Sequence, residues 1–264
     1  MFLWPIVRYV LPVVLIYLNY CKRGVSKKGV FISSIYILIP FVILGGDNLS
    51  PFIASLIALI IILKLYGEKG KKTIAVYITI GAIVLTSVVV GKLAALTGWR
   101  GSTGITNLAQ LLNSYFPGFD NVSIALNMNG NNRLVTLFYD IYSGIPFTGS
   151  IFGLQGETLN DIFVDIANTG GQIVPWGCNI GYYSSYILSP IITGLFICFI
   201  LKKEIRSNST NNFWKYYLNM LFSLYSAFSI IIYSFQIYIR FIWNIIIPIY
   251  VILEISRAKS IARK

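Results

Sequence analysis

The sequence predicts an all-α polytopic integral membrane protein with about seven transmembrane helices and one large extracytoplasmic loop containing short helices. Two observations carry this. Of 264 residues, 56% are hydrophobic and 11% are charged, and the mean hydropathy is +0.73; a soluble domain of this size carries roughly a quarter charged residues. The basic residues also gather in short runs between apolar segments. Read alone, a formal net charge of +12 would suggest nucleic acid. Its placement between apolar runs marks a topology signal instead, and no nucleic-acid partner is expected.

A helix needs about 20 mostly apolar residues to cross the hydrocarbon core. Seven segments approach that length: Phe2–Tyr20, Phe31–Leu44, Phe52–Tyr66, Ile74–Leu96, Tyr186–Leu201, Tyr217–Phe235 and Phe241–Glu254. The second, third and last are short and require tilt, snorkelling or local thinning of the bilayer. Lys22, Arg23, Lys27 and Lys28 follow the first span, and Lys64, Lys69, Lys71 and Lys72 close or follow the third. Lys202, Lys203, Arg206 and Lys215 separate the fifth and sixth, and Arg257, Lys259, Arg263 and Lys264 end the sequence. With alternating spans, these 16 of the 21 basic residues fall on one side, which the positive-inside rule makes the cytoplasm.

The C-terminus is then cytoplasmic and the N-terminus outside. The first segment lacks the basic flank of a secretory signal and reads as a spanning helix. An odd span count with a bare outer start suggests a shortened version of a longer protein. The organisation expected is helices 1–4 over residues 1–97, an outer cap over 98–183, and helices 5–7 with a basic tail over 184–264.

The cap, from Gly98 to Tyr183, is rich in aromatics, Gly, Asn and Asp. Leu108, Leu111, Leu112 and Tyr115 recur at helical spacing and suggest a short helix on the membrane surface. Val122, Ile124, Leu126 and Met128 alternate as in a strand. Asn131 or Asn132 can cap a helix running to about Ser143, stopped by Gly144 and Pro146. Thr158 and Asp161 have capping-box spacing and open a helix that ends near Gly170 and Gly171.

Five cations belong at or near the outer face: Arg8, Lys92, Arg100, Arg133 and Arg240. Guanidinium groups bind phosphate oxygens in a bidentate way, so a convergent set suits a lipid diphosphate. Snorkelling to headgroups is the competing reading, easiest for Lys92 and Arg240. The carboxylates Asp120, Asp140, Glu157, Asp161 and Asp165 all fall in the cap. One of them could take the proton of an attacking sugar hydroxyl; the competing reading is solvated helix surface and caps. Arg133 and Asp140 are seven residues apart and share a helix face. Tyr139, Tyr142 and Trp176 are among the aromatics that could stack on sugar rings or anchor at the interface.

The sequence has no histidine, which excludes a His base, a His metal ligand and a Ser-His triad. Cys21, Cys178 and Cys198 lack metal-ligand spacing. Neither a metal nor a cofactor is expected.

The pieces SYFPGFDNVSIAL and GGQIVPWGCNIGYYSSYILSPIITGLF, with the single large outer loop, resemble the Wzy family of bacterial oligosaccharide repeat-unit polymerases (O-antigen or capsule). Some members carry an arginine, ten residues, then glycine in an outer loop; Arg133 and Gly144 stand in that relation, whereas Arg100 meets Leu111 at the matching place. The resemblance covers about 98–199 and the overall topology. It implies a metal-independent membrane glycosyltransferase acting at the outer face of the bacterial cytoplasmic membrane. It would join undecaprenyl-diphosphate-linked repeat units, with flippase and chain-length regulator proteins as partners beside membrane lipids. Arg133 and Arg100 would hold the diphosphate with Arg8 and Arg240, Tyr139 and Tyr142 would contact sugar, and Asp140 or Asp120 would be the base. Related ligases generally use a loop histidine, which this sequence lacks. The alternative is a non-catalytic membrane partner or transport component of polysaccharide export.

Overall fold

The computed structural model describes residues 3–40, 50–68, 70–71, 133–148, 153, 156–167, 176–184, 187–208, 212–232 and 234–261. Among the described residues every regular element is helical, with no strand. The chain divides into two compact units, Met1–Leu108 and Ala109–Lys264.

The first unit contains α1 (Leu3–Arg23), α2 (Lys27–Tyr36) and α3 (Ser50–Tyr66), each packed against the other two. Gly24 closes α1 at φ +56, a conformation that only glycine adopts without strain. Ser26 then caps α2 by accepting from the Gly29 N–H at 3.0 Å. The side of α3 at Ile53, Ile57, Ala58, Ile61 and Ile62 is fully buried with Val13 and Ile16 of α1, the spacing of one helix face. A polar knot sits inside this apolar contact. Asn19 donates to the Gly29 carbonyl at 2.7 Å and to Ser33 Oγ at 2.8 Å, and the Ser33 and Tyr66 hydroxyls lie 2.9 Å apart. Small and amide side chains bonded across helices in this way fix register where apolar packing alone leaves it free.

The second unit contains α4 (Arg133–Gly144), α5 (Leu159–Ala167), α6 (Trp176–Tyr183), α7 (Leu188–Asn208) and α8 (Phe213–Ile232). It ends with α9 (Phe235–Phe241), a π-helical turn (Ile242–Ile246) and α10 (Ile247–Ile261). The widened turn precedes Pro248, which has no N–H to give to the Asn244 carbonyl. Trp176 is the hub. Its ring is 3% exposed, meets Phe196 edge-on at 4.9 Å and stacks on Tyr238 at 5.6 Å. Its Nε1–H donates to Ser229 at 2.8 Å. One side chain thereby joins α6 to α7, α8 and α9.

Gly144 sets the approach of α4 to α9. A Cβ there would lie 2.6 Å from Ile239 Cγ2, closer than real Cβ atoms come, and a tight 3.2 Å from the Gln236 carbonyl oxygen. Gln236 Nε2 donates to Ser143 Oγ at 2.9 Å across the same contact. Gly144→Val therefore forces the helices apart, with an expected loss of about 1–3 kcal/mol that chemical denaturation of the purified protein would register.

Several expectations are corrected. Gln236–Arg240, which the expected spans ending at Phe235 and starting at Phe241 leave as an outer connection, is helical: Ser234 caps α9 and accepts from the Ile237 N–H. Lys27 and Lys28 open α2, and Lys202, Lys203 and Arg206 lie within α7. The described residues do not supply seven spans. Among them one helix is long and apolar enough to cross a membrane, the 21 residues Phe235–Ile255, and Ile53–Tyr66 is a shorter apolar helix. Helix α2 has 10 residues and rises roughly 15 Å, half of the hydrocarbon core. The expected fourth span, the helix near 108–115 and the strand near 122–128 lie outside the described residues.

Candidate functional site

The α4, α5 and α6 helices meet around one carboxylate. The α4 helix occupies Arg133–Gly144, between the asparagine caps and the Gly144/Pro146 stop that the sequence indicated. Behind it, the Tyr142 hydroxyl donates to the Thr148 carbonyl at 2.6 Å, and Thr148 Oγ1 returns a bond to the Tyr142 carbonyl at 2.7 Å. This pair closes the turn that holds Phe147 at φ +68.

Helix α5 opens with the expected capping box. The Thr158 N–H and hydroxyl donate to Asp161 Oδ2 at 3.0 and 2.6 Å, and the Asp161 N–H donates to Thr158 Oγ1 at 3.2 Å. Leu159 and Phe163, four residues apart, bury against Tyr182 of α6. That contact is why the α5 start faces α4.

Asp140 joins the three helices. It is 2% exposed, and its two carboxylate oxygens accept from the Leu159 N–H at 3.3 and 3.4 Å. The Tyr183 hydroxyl donates to Asp140 Oδ2. Burial raises its pKa to about 6, opposed by the bonds from Tyr183 and Leu159 and assisted by the nearby negative charge of Asp161. Burial and then the charge of Asp140 push the Tyr183 phenol well above its ordinary value. Tyr183 therefore remains a donor across the working pH range.

Arg133 is exposed and stands over the Tyr182 ring at 5.6 Å. The seven-residue spacing thus places Arg133 and Asp140 on one face of α4, turned to the Tyr182–Tyr183 pair of α6. The adjoining side is unexpectedly apolar: Leu134, Val135 and Phe138 are 75%, 63% and 64% exposed. Leu134, Phe138 and Ile141 fall at i, i+4 and i+7, so the stripe was readable from helical spacing.

The expected site residues divide sharply. Arg133, Asp140 and Tyr139 come together at this junction. Tyr139 is half-buried, with Gly156 so close to its ring that a Cβ would lie 2.9 Å from Cδ2. Tyr142, expected against sugar, is buried and occupied in closing its own turn. Asp140, expected as a base, is buried and bonded at both oxygens, the geometry of a clamp on α5 and α6. Arg240 is exposed on α9 next to Ile239, which touches Gly144, whereas Arg133 is at the other end of α4. Twelve residues separate these ends by roughly 16 Å, so α4 does not bring the two arginines together. Arg8 is half-buried in α1 of the first unit. Arg100 and Asp120 lie outside the described residues. Among the described residues no three His, Cys, Asp or Glu side chains gather as metal ligands.

Sequence reasoning missed Asn179, which is 1% exposed and accepts from the Phe235 N–H at 3.2 Å. It ties α6 to the start of α9, and a lone Asn in an aromatic segment carries no signal for that.

The clamp has a pH signature. Because its pKa in the folded protein lies above that of an unfolded carboxyl, Asp140 contributes most to folding below about pH 4 and progressively less as pH rises through about 6. The two-unit difference corresponds to about 3 kcal/mol at most. Asp140→Asn keeps an acceptor for Tyr183 and Leu159 without the charge. Its stability relative to wild type should rise between pH 4 and pH 7 in paired unfolding measurements; parallel curves would show that Asp140 does not titrate in this window.

No family model matches the sequence, and no curated protein and no solved structure matches it significantly.

Proposed function

We propose that the protein polymerises undecaprenyl-diphosphate-linked oligosaccharide repeat units at the outer face of the bacterial cytoplasmic membrane. The observation that carries the reading is the pairing of Arg133 with an apolar stripe. An exposed guanidinium at the positive end of α4, held over Tyr182 and flanked by exposed Leu134, Val135 and Phe138, matches a ligand with an anionic head and a long apolar tail. The resemblance of the cap and its following segment to Wzy polymerases supports the same choice.

In this reading the chain is multi-pass with a cytoplasmic C-terminus, and α4 lies at the outer bilayer surface. The acceptor hydroxyl of one repeat unit attacks the anomeric carbon of the other. The carbon–oxygen bond to diphosphate breaks, and undecaprenyl diphosphate leaves with the electron pair. Arg133 neutralises the charge that develops on that leaving group. The hydroxyl proton passes to a carboxylate, for which Asp120 is the proposed group. Asp140 positions Tyr183 and the start of α5, and so acts through them.

A second reading, a non-catalytic partner in polysaccharide export, draws on Asp140 and Tyr142 both being engaged in structural bonds. The glycan ladder of cells lacking the protein tests polymerisation. Loss of long chains with accumulation of single lipid-linked units supports it, and chains of normal length overturn it.

A further inference from the structure

Far along the sequence from this site, α7 and α8 leave a cavity of about 130 Å³ between them. Ile197, Leu201, Met220, Leu224 and Ala227 form most of its wall. Ser223 also lines it and is 4% exposed. Its hydroxyl has no hydrogen-bond partner, although a buried unpaired hydroxyl costs about 1–3 kcal/mol. Such an orphan in an otherwise apolar cleft points to a ligand that brings an acceptor.

The charge at one end of the cleft narrows the choice. Lys202 and Lys203 follow Leu201 directly and are exposed. The Lys203 ammonium is held 5.8 Å above the Phe199 ring and 5.5 Å above the Phe222 ring. Lys203 stands two positions after the lining residue Leu201, and Phe222 directly precedes the lining residue Ser223, so the cation lies next along both helices to the cleft wall. The outer side of α7 is apolar, with Ile191, Leu195 and Phe199 exposed at 55%, 67% and 49%, so a chain in the cleft continues onto an apolar surface.

We propose that the α7–α8 cleft binds one anionic phospholipid. An acyl chain fills the wall between Leu201 and Ala227, the Ser223 hydroxyl donates to an ester carbonyl, and the headgroup phosphate meets Lys203 with Lys202 beside it. The order of these groups follows that of a phospholipid: phosphate, ester, hydrocarbon. The site rests on α7 and α8 lying in the membrane. It does not depend on the chemistry assigned to Arg133.

The test uses the full chain in nanodiscs holding equal amounts of phosphatidylglycerol and phosphatidylcholine, with retained lipid counted by native mass spectrometry after release into detergent. Wild type should keep phosphatidylglycerol over phosphatidylcholine by about tenfold, the equivalent of 1.4 kcal/mol. Lys203→Gln, which removes the charge at an exposed position, should equalise the two, and Ser223→Leu, which fills the cleft, should lower retention of both. Equal retention by wild type, or unchanged preference in Lys203→Gln, overturns the site, as does recovery of the protein outside the membrane fraction. Diphosphate release measured in the same nanodiscs separates the outcomes. Selective lipid retention without release would leave the lipid site standing while the polymerase reading falls.

Discussion

Arg133→Ala should abolish long polymer and leave single repeat units. Removing one group that stabilises developing charge costs on the order of 10²–10³ in rate. A polymer accumulates that loss at every addition, so the chain-length distribution collapses well before single transfers cease. Arg133→Lys should retain charge but lose the two-point fit to a diphosphate, giving intermediate lengths. The variant should fold normally, because Arg133 is exposed and its described contact is the face of Tyr182. Normal chain lengths in Arg133→Ala, read from a glycan ladder, would remove Arg133 from the site.

Trp176→Ala should have the largest effect on stability. The ring is almost fully enclosed, meets Phe196 and Tyr238, and donates to Ser229. Truncating an aromatic in such a position costs about 3–5 kcal/mol. Ser229 keeps a partner afterwards, since its own hydroxyl donates to the Ser226 carbonyl at 2.9 Å, so the loss is chiefly one of packing. Because α6 carries Tyr182 and Tyr183, loosening its first residue should also release Asp140 and Arg133 from their partners. Trp176→Phe should restore most of the packing without the Ser229 bond. Thermal unfolding orders the three proteins; equal midpoints for wild type and Trp176→Ala would show that the hub carries little.

Local signals in the sequence translated well into structure. The Thr158/Asp161 capping box and the Arg133–Gly144 helix follow from rules that act over a few residues, and the shared face of Arg133 and Asp140 follows from helical period. The partners of Asp140 did not, because Leu159 and Tyr183 stand 19 and 43 residues away, beyond any periodic pattern. The burial of Tyr142 and Trp176 was not legible for a related reason. Helical spacing in an aromatic-rich cap says which residues share a face, but not which face is covered. Gln236 and Arg240 fall between the sixth and seventh expected spans, yet Gln236 satisfies its amide on Ser143 and Arg240 stays exposed, so the helix tolerates both. Gly144 ends α4 as the sequence indicates, and its closeness to Ile239 gives it a packing role as well. The span count rested on apolar length alone, and the described helices meet that length once.

The most direct test of the central claim is release of free undecaprenyl diphosphate by the purified full chain supplied with lipid-linked repeat units, measured for wild type and Arg133→Ala together. The account predicts one diphosphate released for each pair of units joined, and a fall of at least about a hundredfold in the variant. Binding of the lipid-linked units with no release by wild type, or equal release by both proteins, would contradict it.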